Sequence, residues 1–195
     1  MTLKANAYFQ KVFEYISSTQ VTDHEGKLLT LEEGGDRAVQ MIHNLLTDSA
    51  KAMVIGNGGS AALASHTQND LCKAVGVPAL VFTEATLLTA LTNDNGYTLA
   101  FEQQLSLWAK PGDLLIAISS SGCSENILRA ARSAQKRDCH VITLSGFLPD
   151  NPLRPMGEIN FYIPVTDYGY VESAHALLLH FLTDQAANLK NMQTR

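Results

Sequence analysis

No stretch of this sequence is both apolar enough and long enough to cross a bilayer as a helix. Lysine and arginine form no run longer than the pair Lys136-Arg137, which argues against direct contact with nucleic acid and against an anionic membrane surface. Cysteine is scarce and odd in number. Cys72, Cys123 and Cys139 are too widely spaced for a paired zinc motif, and their odd count does not fit a disulfide framework. Three reduced thiols in a reducing compartment is the simplest reading. The N-terminus, Met1 to Tyr8, has no long apolar run behind its single lysine, so no signal peptide is expected. These absences make the cytoplasm the expected location. Internal repeats, low-complexity segments and linkers are also lacking.

What is present suits a packed core. Of 195 residues, 46 % are hydrophobic and 17 % charged, which predicts one ordered domain spanning residues 1–195. The net charge of −5 is a mild excess of acid. It leaves an anionic small molecule open as a ligand, because backbone amides bind phosphate without net positive charge.

About the first fifty residues read as a helical extension. Phe9, Val12, Phe13 and Ile16 share one helical face, as do Ala38, Met41, Ile42, Leu45 and Leu46. Gly34-Gly35-Asp36 reads as a break between these helices, with Asp36 as an N-cap. The stripe Tyr8, Phe9 and Phe13 reads as core or subunit interface. From residue 52 onward, short apolar runs at 52–55, 78–82, 113–118, 140–144 and 159–164 alternate with helical segments. Those segments are 60–73, 86–91, 99–108, 124–136 and 171–189. Trp108, on one of them, reads as packing. Residues 145–158 hold three prolines and two glycines and form the one long loop. Strands apolar throughout and separated by helices imply a parallel sheet covered on both faces. The expected fold is α/β: a three-layer αβα sandwich around a five-stranded parallel sheet, with the N-terminal helices added.

Ligands in such sheets bind at the carboxyl ends of the strands. Two strand-to-helix turns there carry chemistry. After the first strand the chain reads Gly56-Asn57-Gly58-Gly59-Ser60, where glycines permit close backbone approach, Asn57 offers an amide and Ser60 is a candidate cap. After the third it reads Ser119-Ser120-Ser121-Gly122-Cys123-Ser124-Glu125-Asn126. Hydroxyl donors, a glycine turn and a helix start together suit a phosphate. Neither turn is a Walker loop or a Rossmann fingerprint. Cys123 reads as a small residue of the turn.

A second constellation lies on two helices. His66 and Asp70 are four residues apart and share a face; Glu172 and His180 are eight apart and share another, with His175 on or near it. Two helices each offering an imidazole and a carboxylate form either a metal site or an acid–base pair.

The two turns together resemble the sugar isomerase (SIS) domain, and within it the phosphoheptose isomerases most closely. The stretches 91–97, 110–115 and 140–146 support the likeness, which covers nearly the whole chain. The resemblance implies an SIS fold, a sugar-phosphate ligand and a ketose–aldose isomerisation through an enediol, best matched by sedoheptulose 7-phosphate. It makes Asn57, Gly58, Gly59, Ser60, Ser119, Ser120, Ser121, Ser124 and Glu172 candidates for substrate and phosphate binding, with Asn93 and Asp94 closing the site beside Thr83. In phosphoheptose isomerases the helix after the glycine turn carries His and, four residues later, Glu; the last helix carries Gln and, eight later, His. Here these positions are His66, Asp70, Glu172 and His180. By that correspondence Asp70 is the expected base and His180 its acid–base partner, facing the same pocket as the serine run. The same four positions are the expected ligands of a zinc ion. A homotetramer with sites between subunits is also implied. Two alternatives stay open: an isomerase of another sugar phosphate, and a non-catalytic phosphosugar-binding protein of the branch that associates with the bacterial replication initiator protein.

Overall fold

The structure is a computed structural model and describes residues 4–47 and 50–193. In chain order its elements are α1 (Ala5–Ser17), β1 (Gln20–Asp23), β2 (Leu28–Leu29), α2 (Leu31–Asn44), β3 (Ala52–Ile55), α3 (Gly59–Asp70), β4 (Ala79–Val81), α4 (Ala85–Asn95), α5 (Ala100–Trp108), β5 (Leu114–Ser119), α6 (Glu125–Gln135), β6 (His140–Ser145), β7 (Ile159–Tyr162) and α7 (Tyr168–Gln193). One sheet holds every strand, in the order β2-β1-β7-β6-β5-β3-β4. The five strands β4, β3, β5, β6 and β7 run parallel to one another.

The apolar runs become central strands because both of their faces are covered. Every residue of β3 and of β5 is buried. Successive side chains alternate between two cores. Val54, Ile116, Ile142 and Leu144 pack with residues of α2, α3 and α7. Met53, Ile55, Leu115 and Val141 pack with residues of α5 and α6. No described helix is long and apolar enough to cross a membrane.

The N-terminal region departs from the expected all-helical extension. It adds a hairpin, so the sheet has seven strands rather than five: β1 lies antiparallel to β7, and β2 antiparallel to β1. Two of the four residues of β1 are Gln20 and Thr22, and its end is Asp23, so no apolar alternation announces it. Asp23 makes the reversal by accepting the backbone N–H groups of Glu25 and Lys27, each at 3.0 Å. The break expected at Gly34-Gly35-Asp36 is also absent. The helix starts earlier, at Thr30, in a capping box with Glu33. Both glycines lie inside α2, where close approach demands them: a Cβ at Gly34 would strike Val21, and one at Gly35 would come within 2.9 Å of the Phe181 ring.

Phe9 and Phe13 on α1 are 65 % and 70 % exposed, and Trp108 is half exposed rather than packed. Tyr8 stacks on Tyr170 of α7 at 4.8 Å between ring centroids, which seats α1 on that helix.

Asn160 ties the hairpin to the parallel sheet. Its side chain is fully buried and its Oδ1 accepts the Thr143 hydroxyl and the Gly157 N–H, both at 2.7 Å. Its Nδ2 donates to the carbonyls of Thr22 (3.2 Å), Asp23 (3.3 Å) and Gly157 (2.9 Å). Truncation strands several buried polar groups at once. Asn160→Ala is expected to lower the unfolding free energy by about 2–4 kcal/mol in urea titrations; a loss under about 1 kcal/mol would show that the network carries no such weight.

Candidate active site

The sheet order creates a switch point. From β3 the chain passes outward to β4, then returns across β3 to enter β5 on its other side. The helices that follow β3 and β5 therefore cover opposite faces: Ala64 of α3 belongs to one core, and Ile127 of α6 to the other. The crevice left between two such connections is where open α/β sheets bind ligands. The two turns singled out in the sequence flank it.

Local geometry explains the glycines of the first turn. A Cβ at Gly56 would come within 2.5 Å of the Ser60 backbone. Gly58 has φ +54° and is the N-cap of α3, without any side-chain cap bond. Ser60, expected as the cap, sits buried inside the first helical turn instead. Asn57 reaches across to the second turn. Its Nδ2 donates to Asn126 Oδ1, and Asn126 Nδ2 donates back to Asn57 Oδ1, both at 2.9 Å. The Tyr97 hydroxyl adds a bond to Asn57 Oδ1 at 2.7 Å.

In the second turn the serines divide their work. Ser119 Oγ accepts the Gly122 N–H and Ser121 Oγ accepts the Cys123 N–H, each at 3.2 Å, which shapes the loop. Ser124 is the N-cap residue of α6 but makes no side-chain cap bond. The Ser120 hydroxyl is buried and has no partner. Gly122 has φ +64°, and a Cβ there would overlap the Asn151 side chain. Asn151, 2 % exposed, belongs to the proline-rich loop and holds it with bonds to Gly146 O (3.3 Å) and Leu148 O (2.8 Å). The Leu153 N–H donates to Gly122 O at 3.1 Å, so that loop supports the serine turn from behind.

Asn57, Gly58, Gly59, Ser60, Ser119, Ser120, Ser121, Ser124 and Glu172 all line one cleft of about 250 Å³, joined by Tyr168 at the start of α7. No lysine or arginine is among these described lining residues. The cleft thus offers hydroxyls, amides and two helix starts, which suits an oxyanion. Asn93 and Asp94 are not part of its lining. They sit exposed at the end of α4, bonded to each other at 2.9 Å.

The second constellation assembles separately. His66 Nε2 lies 3.3 Å and His180 Nδ1 3.6 Å from Asp70 Oδ2, and the two imidazole rings meet edge to face at 4.9 Å. One ligand atom from each of the three residues falls within 4.8 Å of the others. Glu172 is not in this group, because it lies two turns along α7 with its carboxylate against Gly59. Asp70 and His180 line a small depression with Leu63, Thr67 and Leu179, distinct from the serine cleft of the same chain. The expectation that both face one pocket is therefore not met within a single chain. His175 points inward instead, its Nε2 3.2 Å from the Ser145 carbonyl, and complete burial holds its pKa down at about 4.

Sequence reasoning missed Tyr97, Asn126, Asn151 and Tyr168 as parts of this architecture. Asn126 stood inside the serine motif, where only its distance from Asn57 in sequence hid the pairing. Tyr168 had no local signal.

A parallel sheet with two glycine- and serine-rich turns at its switch point defines the SIS domain, and the family profile of that domain matches residues 8–146. The chain is 35 % identical over 166 residues to the phosphoheptose isomerase of Helicobacter hepaticus, covering 81 % of this chain and 83 % of that protein. It is 33 % identical over 174 residues to the phosphoheptose isomerase of Bordetella avium, covering 82 % and 85 %. A solved phosphoheptose isomerase from Francisella tularensis superposes with a TM-score of 0.81 at 27 % identity, covering 95 % of this chain and 98 % of that one. The chain belongs to the SIS domain family and, within it, to the phosphoheptose isomerases.

The reciprocal amide pair makes a specific demand. Asn57→Ala and Asn126→Ala should each destabilise the fold, and the double variant should lose about 1–2 kcal/mol less than the sum in denaturant titrations. Strictly additive losses would mean that the two turns are not clamped to each other.

Proposed function

We propose that the protein interconverts sedoheptulose 7-phosphate and D-glycero-D-manno-heptose 7-phosphate, with the phosphate seated on the Ser119–Ser124 turn. The observation that carries this reading is the buried, unpartnered Ser120 hydroxyl beside an α6 start whose cap serine is also uncommitted. A buried polar group without a partner is costly unless a ligand completes it. The membership among phosphoheptose isomerases names the sugar.

The chemistry falls to Asp70 and His180. In the open-chain ketose, the Asp70 carboxylate takes a proton from C1. The C–H electron pair becomes the C1–C2 double bond, and the carbonyl oxygen at C2 takes a proton from His180. The enediol then reverses the sense: the C1 hydroxyl returns its proton to the imidazole, C1 becomes the aldehyde, and C2 receives the proton from Asp70. Nothing is gained or lost overall. His66, against the same Asp70 oxygen as His180, orients the carboxylate. Both histidines beside one carboxylate favour turnover over binding alone.

The same three residues fit a zinc ion in donor type, with two imidazole nitrogens and a carboxylate oxygen grouped within 4.8 Å. Zinc held there would act as a Lewis acid toward a sugar oxygen.

The serine cleft and the His–Asp–His group lie in separate depressions, so we assign the two halves of one working site to two copies of the chain. Leu177 and Phe181 flank His180 on α7 and are 48 % and 40 % exposed; Phe9 and Phe13 on α1 are exposed as well. Covering this apolar surface with a second copy closes the site, in keeping with the homotetramer that the resemblance implies.

Mixing tests this directly. Ser120→Ala and His180→Ala should each lose a hundredfold or more of isomerase activity. If the halves come from different copies, co-refolded equal mixtures regain about a quarter of wild-type activity, one half times one half of the sites being intact. Recovery absent from the mixture, with both variants assembled as the wild type, would place each site within one chain.

A further inference from the structure

We infer that Glu172 is a charge filter, so that the cleft accepts a polyhydroxylated sugar carrying a single phosphate and rejects sugars carrying a second anionic group. The inference rests on the phosphate reading of the serine turn and adds to it the class of substrate excluded.

The cleft has two helix starts in its walls, and they are not equivalent. At α3 the cap residue is Gly58, which supplies no side-chain oxygen, and the first turn contains no acidic residue. That helix start is nevertheless covered by an anion. Both carboxylate oxygens of Glu172 lie 2.5 Å from where a Cβ on Gly59 would be, so glycine is required for the carboxylate to settle there. Glu172 comes from α7, the last element of the chain, and lies in the same lining as the serines. At α6 the one acid of the first turn, Glu125, is paired with Arg132 at 2.7 Å, Ser124 makes no side-chain cap bond, and the Ser120 hydroxyl is buried without a partner.

A fixed negative charge on one helix start and a vacant donor set at the other orient a ligand. The phosphate is drawn to α6, where helix-start amides and hydroxyls converge. The remainder of the ligand extends toward Glu172. A carboxylate accepts hydrogen bonds from sugar hydroxyls, and charge-assisted bonds of this kind are among the stronger ones. The same carboxylate repels a carboxylate or second phosphate at that end, and no lysine or arginine among the described lining residues offsets it. A glutamine there would keep the shape and the acceptor but lose the repulsion.

The test compares two open-chain probes of nearly equal size, glucitol 6-phosphate and 6-phosphogluconate, which differ by a hydroxymethyl against a carboxylate. Dissociation constants are measured by calorimetry on the wild type and on Glu172→Gln, with inorganic phosphate as a reference. The wild type should prefer the alditol phosphate by on the order of tenfold or more, a like-charge contact at short range in a half-buried site. In Glu172→Gln that preference should fall to within about threefold, through tighter binding of the aldonate, with inorganic phosphate still bound. An equal ratio in the two proteins, or a wild type that binds both probes alike, overturns the inference. Failure of all three probes to bind the wild type overturns instead the phosphate reading beneath it.

Discussion

The amides of Asn57 and Asn126 bond each other in both directions, at 2.9 Å each way, across the carboxyl ends of β3 and β5. The rest of the site depends on that exchange. The sheet brings two strand-to-helix turns side by side, yet the helices that follow them leave for opposite faces. The strand ladder pairs β3 with β5 only as far as Ile55 and Ala117, short of the two helix starts. The amide pair sets their spacing, and Tyr97 holds the pair from the side. A pair whose amides engage each other also leaves the Ser120 and Ser124 hydroxyls as the uncommitted groups of the serine turn. Geometry of this kind, built before a ligand arrives, reduces the cost of ordering donors on binding.

Supports behind the cleft follow the same logic. Gly122 adopts a left-handed conformation and abuts Asn151, so the proline-rich loop buttresses the serine turn. Gly59 lacks a side chain where the Glu172 carboxylate settles. In each case a glycine makes room for a polar side chain from a distant segment. These approaches give the site its rigidity, and their chemistry differs: the Asn151 contact is neutral, whereas Glu172 brings charge.

Legibility in the sequence varied with the range of the interaction. The parallel strands were readable because burial on both faces leaves a continuous apolar run, as in Leu114–Ser119. The β1–β2 hairpin was not, because a short strand of mixed polarity at a sheet edge looks like its flanking turns. Gly34-Gly35 looked like a helix break, and only the positions of Val21 and Phe181 reveal why small residues are needed within α2. The serine and glycine turns were legible as local motifs. Their joining through Asn126 was not, since the partners lie 69 residues apart. The grouping of His66, Asp70 and His180 followed from helical spacing plus resemblance, whereas the direction of Glu172 did not: a helical face tells which residues align, not which neighbour a side chain meets. Asn93 and Asp94 carried only the resemblance, and the single chain leaves them outside the cleft.

The proposed function divides the site into two halves, the serine cleft on one surface and the Asp70 carboxylate beside two imidazoles on another. On that proposal the serine cleft stays rigid while the groups proposed to transfer protons sit on α3 and α7, beside the exposed Leu177 and Phe181. The most direct measurement is a crystal structure of the protein soaked with sedoheptulose 7-phosphate. The account predicts the phosphate on Ser120, Ser121 and Ser124 at the start of α6, sugar hydroxyls on Glu172, and C1 and C2 against Asp70 and His180 of a second copy. Phosphate bound away from the serine turn, or reacting carbons remote from every Asp70 and His180 in the assembly, would contradict it.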